Sequence, residues 1–381
     1  MNKNIQYKKL TDICEIITGE WGTEITENSQ NIVSVIRTTN FLNNGKIDIQ
    51  NKELIKREID KKKIEQKQLK RGDIIIEKSG GSPNQPVGRV VFFDLNSNEI
   101  FLCNNFTSIL RVKEDINSKY IFYFLRNNYK INKVVKYQNK TTGIINLKLQ
   151  NYLNESCIFL PELKIQNKIV NILDNLENII EKNQNYLTHL VVLTKSLFTK
   201  FNKNGIEKQL NDVADIIMGQ SPLSQSYNKD KKGLPFYQGK TEFSDIYIKD
   251  PTVYCNSPIK VVEENDILMS VRAPVGDVNI ATQKSCIGRG LASIKPKKID
   301  YLYLFYLLKE QKSKIEKIGV GSTFKAINKN NISTLKISIV EKDKQNKIRN
   351  YLSSIEKLKF IISAIILNPY ELLRNKGVEH V

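Results

Sequence analysis

Gln166-Asn167-Lys168-Ile169 returns unchanged as Gln345-Asn346-Lys347-Ile348. Leu10-Thr11-Asp12-Ile13-Cys14-Glu15-Ile16-Ile17-Thr18-Gly19 returns as Leu210-Asn211-Asp212-Val213-Ala214-Asp215-Ile216-Ile217-Met218-Gly219. A repeat of this length is a duplicated domain, not a solenoid unit. The fold must therefore be one that can be built twice. Weaker matches lie between these ends: 39–41 with 241–243, 71–76 with 264–269, and 120–126 with 303–309. The offset between partners falls from 200 residues at the start of the block to 179 at its end. Scaffold segments persist while the loops between them change length, as on a shared scaffold with divergent surface loops. The order is globule, helix, globule, helix.

The helical blocks carry the clearest periodicity. From Ile165 the seam runs through Ile169, Ile172, Leu176, Ile179, Asn183, Tyr186, Leu190, Leu193 and Leu197, in alternating steps of four and three. This is a sustained heptad seam with one polar position, Asn183. The second block repeats it as Ile348, Tyr351, Ile355, Leu358, Ile362 and Ile365, and Asn368-Pro369 predicts a stop or kink. The first helix is expected to be on the order of 60 Å long. A helix with such a seam needs a partner in water. An antiparallel pair within the chain is the economical expectation, and two core helices of a single fold are the alternative.

Charge bears on the partner. Lys and Arg number 59 against 40 Asp and Glu, a formal net charge of +19 and a pI of about 9.4 over 381 residues. Such an excess favours a polyanion through phosphate neutralisation and counterion release. The plainer alternative is a solvated, lysine-rich surface. No apolar run approaches the roughly 20 residues of a membrane span, and the first residues hold no apolar signal core. The five cysteines are scattered, without a Cys-x-x-Cys pair, and are expected to be reduced, mostly buried thiols in a cytoplasmic protein.

Motifs for catalysis are sparse. His189 lies within the first long helix and His380 near the end of the chain, without a second ligand at metal spacing. Gly319-Val320-Gly321-Ser322-Thr323 lacks the Gly-Lys-Ser/Thr ending of a phosphate loop. Asn368-Pro369-Tyr370-Glu371 has one proline too few for the amino-methyltransferase type of motif and reads as a helix stop. Asp73, Glu77 and Lys78 only superficially suggest a metal nuclease, because convergent carboxylates are not evident. Binding elements remain. Candidate DNA contacts are Arg37, Lys78, Arg89, Lys140, Thr141 and Thr142 in the first copy. In the second they are Lys240, Arg272, Arg289, Ser322, Thr323 and Lys325. Arginine can grip guanine bidentately, while hydroxyls and lysine suit phosphate.

The whole chain resembles the specificity subunit of a Type I restriction-modification system. The resemblance lies in the Leu-x-Asp-Ile/Val-x-x-Ile-x-x-Gly pattern ending at Gly19 and Gly219, and in the helix starts Pro161, Gln166, Ile169 and Gln345, Ile348. Val340 replaces the proline in the second copy, and the run 321–327 also fits. The resemblance implies α/β (α+β) globular target-recognition domains in two copies, separated by a long antiparallel two-helix coiled coil with an internal pseudo-twofold repeat. The expected boundaries are 1–161, 162–204, 205–340 and 341–381.

By the same resemblance the chain is non-enzymatic. Each globule is expected to read one half of a bipartite double-stranded DNA site. The helices would set the spacer and dock two modification (adenine methyltransferase) subunits, with restriction subunits completing the complex. S-adenosylmethionine, ATP and Mg would sit on those partners and no cofactor on this chain. Two alternatives stand beside this: the recognition region of a restriction-methylation enzyme with cryptic activity, and a coiled-coil DNA-binding regulator without a methyltransferase partner.

Overall fold

The computed structural model describes residues 7–82, 85–141, 144–318 and 326–367. The chain forms two compact units, Met1–Asn178 and Ile179–Val381.

In the first unit the strands are β1 (Tyr7–Lys9), β2 (Cys14–Thr18), β3 (Ile32–Ile36), β4 (Ile55–Glu58), β5 (Ile74–Glu77), β6 (Ser79–Gly81), β7 (Val90–Phe92), β8 (Phe101–Cys103), β9 (Thr107–Val112), β10 (Gln138–Thr141), β11 (Ile144–Leu147) and β12 (Cys157–Phe159). Its helices are α1 (Leu10–Ile13), α2 (Lys61–Lys67), α3 (Ser118–Lys130), α4 (Leu149–Glu155) and the start of α5 (Leu163–Phe201). The central sheet has the order β2-β9-β5-β7, all antiparallel. The run Ile74-Ile75-Ile76 is apolar throughout because both faces of this sheet are covered. Ile74 and Ile76 pack with Leu110, Ile121 and Leu125 on the helical side, and Ile75 packs with Ile36, Phe93 and Phe101 on the other. On that second side β3 runs parallel to β8 and antiparallel to β4.

The second unit contains β13 (Ile206–Gln209), β14 (Ala214–Met218), β15 (Tyr227–Asn228), β16 (Leu234–Tyr237), β17 (Tyr254–Cys255), β18 (Val261–Val262), β19 (Ile267–Ser270), β20 (Val278–Ile280), β21 (Ser285–Ile287), β22 (Leu291–Pro296) and β23 (Lys336–Ile339). Its helices are the end of α5, then α6 (Tyr301–Glu310), α7 (Lys312–Ile318), α8 (Lys329–Ser333) and α9 (Lys342–Leu367). The central sheet, β14-β22-β19-β20, repeats the first unit's order. Ile267 and Met269 face α6, while Leu268 packs with Tyr237 and Ile287. Again a parallel pair, β16 with β21, flanks the sheet.

The repeated sequence signals have physical counterparts. A Cβ on Gly19 would lie 2.0 Å from the Asn104 carbonyl oxygen, and one on Gly219 2.2 Å from that of Gly288. The glycine that closes the repeated pattern therefore lets one strand's exit press against a neighbouring backbone. The repeated glutamine anchors each long helix. Gln166 Nε2 donates to the Pro161 carbonyl (2.8 Å) and its Oε1 accepts from the Asn117 N–H (2.9 Å). Gln345 Nε2 donates to the Val340 carbonyl (2.7 Å), but its buried Oε1 has no partner. Asn117 and Asp300 cap α3 and α6, each accepting two N–H groups of the first turn.

The long helices dock through matched contacts. Tyr123 donates to Asp174 (2.6 Å) and Arg126 pairs with Glu177 (2.8 Å) in the first unit. Tyr306 donates to Glu356 (2.6 Å) in the second. The first seam is less uniformly buried than its periodicity predicts. Ile169, Ile172, Leu176, Leu190 and Leu197 are half-buried, while Ile179 and Leu193 are exposed. Toward its end α5 instead buries Thr194 and Phe198, one residue along from the seam positions, and Phe198 joins the second unit's core. In α9, Ile348, Leu352 and Ile355 are buried, Tyr351 and Leu358 are exposed, and Ile362 and Ile365 are half-buried. Phe201 stacks on Tyr351 at 5.7 Å between ring centroids. The expected stop at Pro369 lies outside the described residues, and so does His380.

Candidate nucleic-acid interface

The sequence candidates divide into residues engaged inside the fold and residues left free. Arg89 belongs to the first class. Its Nε and Nη2 donate to the two Glu77 oxygens at 2.9 and 3.0 Å, Nη2 also reaches the Thr38 carbonyl, and the guanidinium lies over the Phe41 ring. Burial opposes the Arg89 charge, but Glu77 outweighs it and raises the arginine's pKa. Asp73 is likewise taken by Arg111 (3.0 and 2.8 Å), whose pKa rises through that hydrogen bond. Each carboxylate of the superficial nuclease motif is thus bound by an arginine. Lys240 pairs with Asp277, which Lys312 also holds. Burial alone would raise the Asp277 pKa; the hydrogen bonds from the two lysines bring it below its usual value. Arg89 and Lys240 each hold an ion pair within their own unit.

Arg37, Lys78, Arg272 and Arg289 hold no ion pair among the described residues. Arg272 and Arg289 are exposed at the ends of loops in the second unit. Arg37 follows β3, half-buried, with its Nε buried and unpartnered. Lys78 is half-buried behind β5, and burial lowers its pKa. Lys140 and Thr141 belong to β10, which forms a three-stranded sheet with β11 and β6. Thr142, Ser322, Thr323 and Lys325 lie outside the described residues. Among the described residues no cluster of His, Cys, Asp or Glu could hold a metal ion. No described helix is long and apolar enough to cross a membrane. His189 is exposed on α5, four of the five cysteines are buried, and Cys157 is exposed.

A model of the Type I restriction modification DNA specificity domain matches residues 2–189 and again 203–368. The chain belongs to this family. It is 35% identical over 376 residues to the putative type I restriction enzyme MjaX specificity subunit of Methanocaldococcus jannaschii, covering 93% of this chain and 87% of that protein. The MjaVIII specificity subunit of the same organism is 26% identical over 307 residues, covering 69% and 70%. A solved chain from work on complex assembly and conformational transition of the type I R-M system aligns with a TM-score of 0.58 at 22% identity, over 98% of this chain and 96% of that one. The Type I S subunit from M. genitalium aligns with a TM-score of 0.54 at 16% identity, over 96% of each chain. These likenesses show a shared fold.

Within this specificity family member, backbone hydrogen bonds align the two units residue by residue. The counterpart of Arg289 in the first unit is Asn105, and the counterpart of Arg89 is Asp277. Glu77 N–H donates to the Arg89 carbonyl (2.9 Å) as Ser270 N–H donates to that of Asp277 (2.8 Å). Thr107 N–H donates to the Asn104 carbonyl as Leu291 N–H donates to that of Gly288, both at 3.0 Å. Sequence reasoning passed over Asn105 and Gln238. Only the alignment of the strand ends brings them into view.

Proposed function

We propose that each unit binds one half of a bipartite double-stranded DNA site, and that the long helices set the spacer and dock two modification subunits. The chain is a DNA specificity subunit: it selects sequence and is not itself the catalyst. The observation that carries the half-site reading is the twice-built scaffold, one family match on each copy, with the same sheet order and different side chains at its loop ends. Restriction subunits complete the assembly. S-adenosylmethionine, ATP and Mg act on the partners, in the cytoplasm. Arg272 and Lys78, with Lys140, Thr141, Thr142, Ser322, Thr323 and Lys325, supply DNA contacts in this reading. A net charge of +19 suits phosphate neutralisation and makes affinity fall steeply with salt.

Methylome sequencing of cells expressing this chain with its modification subunit tests the proposal. A methylated motif of two specified halves around an unread gap is expected. Replacing residues 1–160 with another member's first domain changes one half only. A short continuous palindrome refutes the reading.

A further inference from the structure

Two scaffold positions recur in both units at the ends of the parallel strand pairs. The first is the residue after β3 or β16: Arg37 or Gln238. The second is two residues beyond β8 or β21: Asn105 or Arg289. Backbone hydrogen bonds establish the equivalence. Asn104 N–H donates to the Ile36 carbonyl (3.0 Å) as Gly288 N–H donates to that of Tyr237 (2.9 Å). Glu20 N–H donates to the Cys103 carbonyl (2.8 Å) as Gln220 N–H donates to that of Ile287 (3.1 Å). Paired strands run about 4.8 Å apart, so both positions sit together at one end of the sheet.

Each unit thus places one arginine and one carboxamide at these positions, in opposite order. Arg89, Arg111 and Arg126 are all bound to carboxylates. Arg37 and Arg289 have no ion-pair partner among the described residues, and Arg37 Nε is buried without any hydrogen bond. Asn105, Gln238 and Arg289 are exposed. In the second unit Ser221 links the pair: its Oγ accepts the Arg289 N–H (3.2 Å) and donates to Gln238 Oε1 (3.0 Å). The Gln238 amide keeps its two N–H donors and a second lone pair on Oε1. A carboxamide N–H can donate to phosphate as well as to a base, but only a base edge uses its donor and its acceptor together. A guanidinium fork matches guanine O6 and N7, and a carboxamide matches adenine N6 and N7.

We propose that Arg37 with Asn105, and Gln238 with Arg289, are the base-reading pairs of the two units, each arginine taking a guanine and each carboxamide a neighbouring adenine. This rests on the half-site reading above. The test uses the full subunit assembled with its modification subunit, methylating a DNA library randomised across the site. If the unaltered complex yields no bipartite motif, the half-site reading itself fails. Given such a motif, Arg289→Ala is expected to relax one guanine position in one half by about 10–100-fold. The other half and the salt dependence stay as they were. Arg37→Ala does the same in the opposite half, and Gln238→Ala relaxes an adenine beside the guanine lost in Arg289→Ala. An unchanged motif with these variants overturns the proposal. So does uniform weakening on all sequences with a salt slope reduced by about one, the mark of a phosphate contact.

Discussion

At one corner of the shared scaffold the first unit carries an arginine and the second an aspartate. Arg89 is bound by Glu77, whereas Asp277 lies across the strands from Ser270 and is bound by Lys240 and Lys312. The sign of the residue inverts and its neighbours invert with it, so the backbone around it is kept. A position compensated from within serves the fold. The positions of Arg37, Asn105, Gln238 and Arg289 also differ between the units, but there neither arginine has an ion-pair partner among the described residues. That contrast sets the internally paired Arg89 and Asp277 apart from the positions proposed above to read bases.

The largest effect tests the scaffold's sameness. Gly19→Ala and Gly219→Ala each force a Cβ onto a backbone carbonyl. Each is expected to cost about 4 kcal/mol or more in its own unit. Hydrogen exchange, which reports the units separately, checks this; tolerance in one unit but not the other breaks the equivalence. Next is the inverted corner. Arg89→Met strands the Glu77 carboxylate, whose side chain is only 3% exposed, at a cost of about 3 kcal/mol. Asp277→Asn frees lysines that are partly solvated and is expected to cost about 1 kcal/mol. Equal losses by the same measurement argue against the difference drawn here.

The helix anchors give a smaller contrast. Gln166→Ala removes two hydrogen bonds and Gln345→Ala one, so the expected losses are about 2 and 1 kcal/mol, read by denaturant titration. Smallest is an acid effect confined to the first unit. The hydrogen bond from Lys67, more than any other contact, holds the Glu20 carboxyl below its usual range, and its counterpart Gln220 carries no charge. A depressed carboxylate contributes stability above its ordinary value near 4.5, and that contribution disappears as the pH falls through the lowered one. Glu20 is partly solvated, so well under 1 kcal/mol is expected. A Glu20→Gln variant whose acid unfolding curve matches the parent's would remove the effect.

Much of the fold was legible because it was written twice. The two seams run inside the observed helices Leu163–Phe201 and Lys342–Leu367. The terminal glycines and the repeated glutamines proved to be local necessities of packing. The faces of α5 were harder to read. A heptad seam describes one partner, while Thr194 is buried off the seam and Phe198 joins the second unit's core. The reading positions were hidden for another reason. The strand pairing that joins residue 36 to 104 and 237 to 288 is non-local, and loops of unequal length separate its partners in sequence. Only the backbone shows that Asn105 stands where Arg289 does, and Asp277 where Arg89 does.

The central claim is that each unit reads its half-site on its own. The most direct measurement is the methylated motif of a chain in which residues 207–339 are replaced by residues 7–160, expressed with the modification subunit. A motif made of two copies of the first unit's half-site with a gap between them is expected. An unchanged motif, or an uninterrupted one, would contradict it.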